Sequence, residues 1–371
     1  MLTGRKTFLP MMVALALSAF PALAQIATVV EERPGGDLRD NTDIRIIKDA
    51  YTGVEGKRGA SQLRWKANKV VEINWKVAPE AYKVGLNHYR DGSFVKAAQE
   101  LLGALEKPGS YKWLPVYANY YIGRSLSRTG HLGQAIEHLN KVIEADKNHR
   151  FVPETYVLLA DIHLRPGAPG GAKAARAALM KLKPIASALG RDSSYGIKVD
   201  LGLARLEVEA GDASKGLTML TTLERKTREE GLLNLIAMVK GKAYVKMKDF
   251  SKAETAFNRI LKSKKVKNAE VIAGAANGLG DAQYEQQKYK DAMWTYSRTY
   301  SLFLDREDLV REVGWALYRG GEAFQLHAGK VSGDDRKKFQ RYGSRVLRKA
   351  ATDFRTTRGG KLARQKLGLS N

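Results

Sequence analysis

One spacing recurs along this chain, and only paired helices can satisfy it. A small residue is followed twelve positions later by a second small residue, and four positions after that by a large apolar one. Gly85, Ala97 and Leu101 make the first set, and Gly123, Ala135 and Leu139 the second. Ala204, Gly216 and Leu220 follow, then Gly241, Ala253 and Phe257, then Gly280, Ala292 and Tyr296. Helix axes approach to about 8–10 Å only where the facing side chains leave room, so each small pair marks a crossing and each large residue a plug. Turns separate the pairs: Asp91-Gly92-Ser93 before Phe94, Gly130-His131 before Leu132, Lys248-Asp249 before Phe250, Lys288 before Tyr289. Such a unit cannot bury its apolar face alone and must stack on its neighbours, so the expected fold class is all-α, a helical-hairpin solenoid.

The pattern resembles the tetratricopeptide repeat (TPR) family, a helix–turn–helix unit of about 34 residues. The best copies are NYYIGRSLSRTGHLGQAIEHLNKVIEAD at 119–146, MVKGKAYVKMKDFSKAETAFNRIL at 238–261 and GLGDAQYEQQKYKDAMWTYSRTY at 278–300. Gly85, Gly123, Ala160, Ala204, Gly241 and Gly280 lie 38, 37, 44, 37 and 39 residues apart, so the loops exceed the family period. The third unit carries a Pro/Gly insertion at 166–171, and the Pro that usually closes a unit is mostly missing. The resemblance implies a right-handed solenoid of six to seven units over 78–328 whose first helices line a concave protein-binding surface. A helix at 309–328 ends the array, and a divergent unit, cap and basic tail are expected over 329–371, with helices from Asp334-Asp335 to about Ala351 and from Lys361 and fraying over 353–371.

Ahead of the repeats the period changes. Leu63, Trp65 and Ala67 alternate with polar residues, as do Val71, Ile73, Trp75 and Val77, and alternation of this kind predicts half-buried strands. With Ile44–Ile47 they would form a small three-stranded meander in 43–77, packed on the first helix because so small a sheet is marginal alone. Residues 25–42 mix Pro, Gly and charge and are expected to be a flexible leader. The passage from VVEINW (70–75) into APEAYKVGLNHYRDGSFVKAA (78–98) resembles exported bacterial TPR proteins with a small β-rich N-terminal segment.

Residues 1–24 carry Arg5 and Lys6, an apolar run from Phe8 to Ala19 and the small-x-small pattern Ala22-Leu23-Ala24. That pattern predicts a secretory signal, cleaved near Ala24-Gln25, and the mature protein is expected to be periplasmic or extracellular. The run is interrupted by prolines and short of the ~20 apolar residues of a membrane span. The formal charge of +24 becomes +22 once Arg5 and Lys6 are removed. Export turns this excess away from nucleic acid and toward an acidic protein or an anionic envelope polymer or lipid headgroup.

The motifs of chemistry are missing. There is no nucleophile elbow, phosphate-binding loop, Ca²⁺ loop or zinc helix, so no enzyme, metal or cofactor is expected. The absence of Cys excludes disulfides, thiolate zinc sites and Cys nucleophiles. The six His are scattered, with capping or solvated roles expected for His163. The aromatics Tyr82, Tyr111, Trp113, Tyr117, Tyr120 and Tyr121, like Trp294 and Tyr296, are expected mainly in the core. Groove candidates on first helices are Asn119, Arg124, Lys240, Lys242, Asn277 and Gln283. Thirteen Lys/Arg against three Asp in 330–366 make the anionic-partner candidates Lys337, Lys338, Arg341, Arg345, Arg348 and Lys349. The function these features imply is a non-catalytic exported scaffold that holds a peptide in its groove, in cell-envelope assembly or maintenance. The alternative is electrostatic binding of anionic polymer or lipid headgroups by the basic C-terminal half.

Overall fold

A computed structural model describes residues 25–109, 111–190 and 193–369; the expected signal over 1–24 lies outside them. The N-terminal element is a five-stranded antiparallel sheet, β1 (Ile26–Glu32), β2 (Leu38–Ala50), β3 (Gly53–Arg58), β4 (Ser61–Trp65) and β5 (Val70–Trp75), in the order β4-β3-β2-β1-β5. This corrects the three-stranded meander and the flexible leader. Residues 26–32 are a central strand, with Ala27 facing Ile44 on one side and Trp75 on the other. The Pro and Gly expected to loosen the leader build a hairpin turn instead. Gly35 and Gly36 take φ of 104° and 94°, and Arg33 N–H donates to Asp37 O at 2.8 Å. β3 lies between the expected strands, and its Gly56 is required: a Cβ there would collide with Ile44.

Fifteen α-helices follow among the described residues. They pair as α1 (Glu80–Arg90) with α2 (Phe94–Glu106), α3 (Leu114–Arg128) with α4 (Leu132–Ala145) and α5 (Val152–His163) with α6 (Gly171–Leu189). Next come α7 (Tyr195–Ala210) with α8 (Ala213–Lys226), α9 (Glu230–Lys246) with α10 (Phe250–Lys262) and α11 (Ala269–Glu285) with α12 (Tyr289–Phe303). The seventh pair is α13 (Val310–Ala328) with α14 (Gly333–Asp353), and α15 (Arg358–Lys366) caps it. The plugs Leu101, Leu139, Leu220, Phe257 and Tyr296 are fully buried. Four of them seat on the glycine of the partner helix: a Cβ on Gly85 would stand 2.8 Å from Leu101, on Gly123 2.7 Å from Leu139, on Gly241 2.5 Å from Phe257 and on Gly280 2.6 Å from Tyr296. Asp212, Asn268 and Asp249 start their helices by accepting hydrogen bonds from first-turn N–H groups.

The sheet joins the repeats through one continuous apolar core that includes Val29, Ile44, Ile73, Tyr82, Leu86, Tyr117 and Ile122. Contact with the first helix is as expected, and Arg90 of α1 reaches Glu72 at 2.5 Å and Asn74 at 3.0 Å on β5. The stronger anchor is the second unit. Trp75 stacks on Trp113 with centroids 4.7 Å apart. Buried Asp49, on β2, accepts from Tyr117 Oη at 2.5 Å and pairs with Arg150 Nε at 3.0 Å and His149 Nε2 at 3.0 Å. Burial raises the Asp49 carboxyl, but Arg150, His149 and Tyr117 together hold it below the ordinary carboxylate range.

Residues 354–366, expected to fray, are packed. Gly359, Gly360 and Ala363 are buried, and a Cβ on Gly359 would collide with the Gly314 carbonyl. The cap begins at Arg358, behind Thr357, whose Oγ1 accepts from Gly360 N–H at 3.1 Å. Together α15 and Leu369 share a cleft with Gly130 and His131 of the second unit. A single-turn 3₁₀ helix, Glu307–Leu309, leads into α13, and its Glu307 Oε2 accepts from the N–H of Val95 at 3.0 Å. The seventh unit therefore returns against the first two.

Candidate functional site

On each first helix from the second unit onward, the residue after the small crossing residue is charged: Arg124, Asp161, Arg205, Lys242, Asp281 and Glu322. One turn on, Arg128, Arg165, Glu209 and Glu285 continue the same stripe. Asp161 binds Arg165 at 2.5 Å and Arg205 of the next unit. Glu209 pairs with Lys242 at 3.6 Å, and Asp281 lies 3.6 Å from Arg319 while accepting from Tyr296 Oη at 2.5 Å. The concave face is thus a ladder of opposite charges crossing from unit to unit.

Closure brings the two ends of this ladder together. Arg311 of α13 pairs with Glu270 at 3.3 Å and Glu312 at 3.4 Å, and its charge reaches Asp161 of the third unit. Burial pushes the Asp161 carboxyl up, but Arg165, Arg205 and Arg311 outweigh it and hold it well below the usual range. Glu312 shows the opposite balance: burial dominates, Arg311 only partly offsets it, and the carboxyl is raised. Between these groups lies a cavity of about 420 Å³, lined from α3, α5, α7, α9, α11 and α13, with Leu179 of α6 and Asp308 of the 3₁₀ turn.

Of the predicted groove residues, Arg124 and Lys242 line this cavity. The other four lie outside its lining. Asn119 is buried, donates to Pro115 O at 2.7 Å and contacts His138 Nδ1 at 2.7 Å; Lys240 pairs with Glu224 at 2.9 Å. Asn277 is buried and donates to Glu312 O at 2.9 Å, and Gln283 accepts from Thr295 at 2.8 Å. The cavity arginines at 128, 165, 205 and 311 were missed. The charge that follows each small crossing residue would have revealed 205, and 128 and 165 lie one turn beyond it.

The anionic-partner candidates share the outer face of α14. Lys337, Lys338, Arg341, Arg345 and Arg348 are exposed and Lys349 half-buried. Lys349 is held by Asp353 at 2.7 Å and Lys337 lies 3.9 Å from Asp334, whereas the other four have no ion-pair partner among the described residues. Tyr82, Trp113, Tyr117, Tyr120 and Tyr296 are buried as expected, but Trp294 is 58% exposed. It points outward because α12 turns the neighbouring Met293 and Tyr296 toward the core. His163 Nδ1 contacts Pro169 O at 2.6 Å, tying down the Pro/Gly insertion. No cluster of three or more potential metal ligands occurs among the described residues, and no helix among them is long and apolar enough to cross a membrane.

Small-residue crossings, buried plugs and an inward charged ladder define a helical-hairpin solenoid. Tetratricopeptide repeat family models match residues 116–149 and 238–302. Those two segments of the chain are therefore tetratricopeptide repeats. Similar solved structures include a signal-transduction ATPase with numerous domains and a tetratricopeptide repeat sensor, from Pyrococcus horikoshii, at 17% identity and TM-score 0.44 over 85% of this chain; this chain spans 54% of that protein. A tetratricopeptide repeat protein from Parabacteroides merdae is similar at 12% identity and TM-score 0.39, over 71% of this chain and 97% of that one. A search of curated proteins by sequence gives no match.

Proposed function

We propose that this tetratricopeptide repeat protein is an exported, non-catalytic scaffold that docks an acidic protein segment in cell-envelope assembly or maintenance. The observation that carries the reading is the outer face of α14, where Lys338, Arg341, Arg345 and Arg348 stand without carboxylate partners. A row of cations along two helical turns and more favours an acidic strand or helix as partner. The ladder of ion pairs across the concave face argues against an extended peptide there. The N-terminal signal, with cleavage near Ala24-Gln25, supports export, and N-terminal sequencing of the mature protein should begin at Gln25.

The same unpaired stripe favours a second reading, attachment to an anionic envelope polymer or lipid headgroup. In-cell crosslinking followed by mass spectrometry decides between them. A defined protein captured through α14, and retained at 0.5 M salt, supports the scaffold. Retention on polymer or anionic vesicles that collapses between low and physiological salt supports attachment, since exposed charges are screened beyond about 8–10 Å. Loss of neither on substituting Lys338, Arg341, Arg345 and Arg348 by Gln would remove α14 from both.

A further inference from the structure

The chamber inside the array combines features that the docking reading does not use. Arg124 and Arg128 stand one turn apart on α3 and line it, and neither has an ion-pair partner among the described residues. Their guanidinium groups lie against rings instead: Arg124 over Tyr89 and Tyr120 at 5.4 and 5.3 Å, Arg128 over Phe94 at 4.7 Å. Asp308 in the wall, an acid that feels the Arg128 charge, is already bound by Arg306 at 2.7 Å. Arg124 Nη1 makes one long hydrogen bond to Tyr120 Oη at 3.4 Å, and the donors that remain on the two guanidiniums suit the oxygens of a carboxylate or phosphate.

Deeper in, Arg165 Nε and Arg311 Nε are buried without a hydrogen-bond partner. Buried donors are normally satisfied, and unsatisfied ones concentrate where a water, ion or ligand belongs. Beside the ion-paired groups of the wall, among them Glu154 with Lys198 and Asp161 with Arg205, runs an apolar strip of Leu158, Leu201, Leu232, Leu235 and Met238. A bare inorganic anion would leave that surface uncovered. An extended peptide would have to displace the ion pairs of Asp161 and Arg311. The volume, about 420 Å³, falls in the ordinary range for small-molecule sites.

We propose that the chamber binds a compact amphiphile bearing one anionic headgroup, a carboxylate or a phosphate monoester, with Arg124 and Arg128 on the headgroup and the leucine wall on the apolar body. This ligand is independent of any partner on α14.

The test is calorimetric titration of the full chain with decanoate and with decyl phosphate, both below their aggregation limits, beside decanol and inorganic phosphate. Saturable one-to-one binding of at least one anionic amphiphile is expected, with decanol and inorganic phosphate at least tenfold weaker; the better of the two identifies the headgroup. The R124Q/R128Q variant should lose at least tenfold in affinity. Since those changes could loosen α3, Leu235→Trp provides a second arm: it fills the chamber, leaves both arginines in place and should also cost at least tenfold. Absence of binding by both amphiphiles, equal binding of decanol, or unchanged affinity in both variants overturns the proposal. Because Leu235→Trp leaves α14 intact, partner capture by that helix should survive it, which separates failure here from failure of the scaffold reading.

Discussion

Glu307 accepts a hydrogen bond from the backbone N–H of Val95, 3.0 Å away and 212 residues earlier in the chain. Ser93, at the N-cap of α2, provides no side-chain cap of its own, so a carboxylate from the far end of the array does that work. Glu307→Ala should cost about 1 kcal/mol, in the range of a lost cap. Hydrogen exchange should show faster exchange of the Val95 amide together with the turn facing α15. Unchanged protection at Val95 would mean the contact does not hold the ends together in solution.

The Phe257 ring is enclosed by two glycines, and added Cβ atoms on Gly241 and Gly278 would both strike it. Gly241→Ala should therefore destabilise by about 1–3 kcal/mol through overpacking, despite the better helix propensity of alanine. Gly103 on α2 is exposed with open space around it, so Gly103→Ala should stabilise by about 0.5–1 kcal/mol. Denaturant titration of both variants tests the crossing model, and the same sign for both would sink it.

Asp49 and Arg150 form the buried joint between sheet and repeats, and Arg150 also donates to Val70 O at 3.3 Å. Asp49→Asn removes the charge and leaves the guanidinium uncompensated, at an expected cost of about 3–5 kcal/mol. Tryptophan fluorescence reports the change, since Trp75 stacks on Trp113 at this joint. An emission maximum and melting curve matching the parent would show that the ion pair is dispensable.

Glu312 gives a pH signature. Burial raises its carboxyl, and its Oε2 has no hydrogen-bond partner. A raised folded pKa means the ionised form is penalised above it, while below the unfolded value, about 4.3, both states are protonated and the penalty vanishes. Glu312→Gln should therefore stabilise by about 1 kcal/mol at pH 8 and lose that advantage as pH falls to 4. Asp161, with its carboxyl held low, runs the other way: its contribution is present above about pH 4 and fades in stronger acid. Melting temperatures of Glu312→Gln and the parent across this range provide the check, and a destabilised variant at pH 8 would contradict the assignment.

The helical pairs were legible because a crossing demands small residues at fixed separation, a constraint written directly into Gly85, Gly123, Gly241 and Gly280. β1 was not, because bulges at Ala27/Val29 and Val30/Glu31 bury adjacent Val29 and Val30 and erase the period of two. Its Pro-Gly-Gly turn has the composition of a loose segment, and only pairing distinguishes the two. α15 was expected only from Lys361, and its start at Arg358 was hidden for a similar reason, since Gly359 and Gly360 weaken helix propensity yet are what permits close approach to Gly314 and Phe354. The inward face was half visible. Arg124 and Lys242 followed from helix register, but which charges meet across the interior depends on how far the array curves, and no single unit encodes that.

The return of the seventh unit onto the first alters how such a chain acquires its structure. An open solenoid is quasi-one-dimensional: each unit answers only to its neighbours, folding can start anywhere, and the ends melt first. A contact spanning 212 residues joins those ends, so fraying at either one is opposed by the other. It also forms late, because its loop-closure entropy must be met before the contact contributes. Any product released before residue 307 would hold six well-formed pairs and lack the clasp together with the seventh pair behind it, leaving the interior chamber without one of its walls.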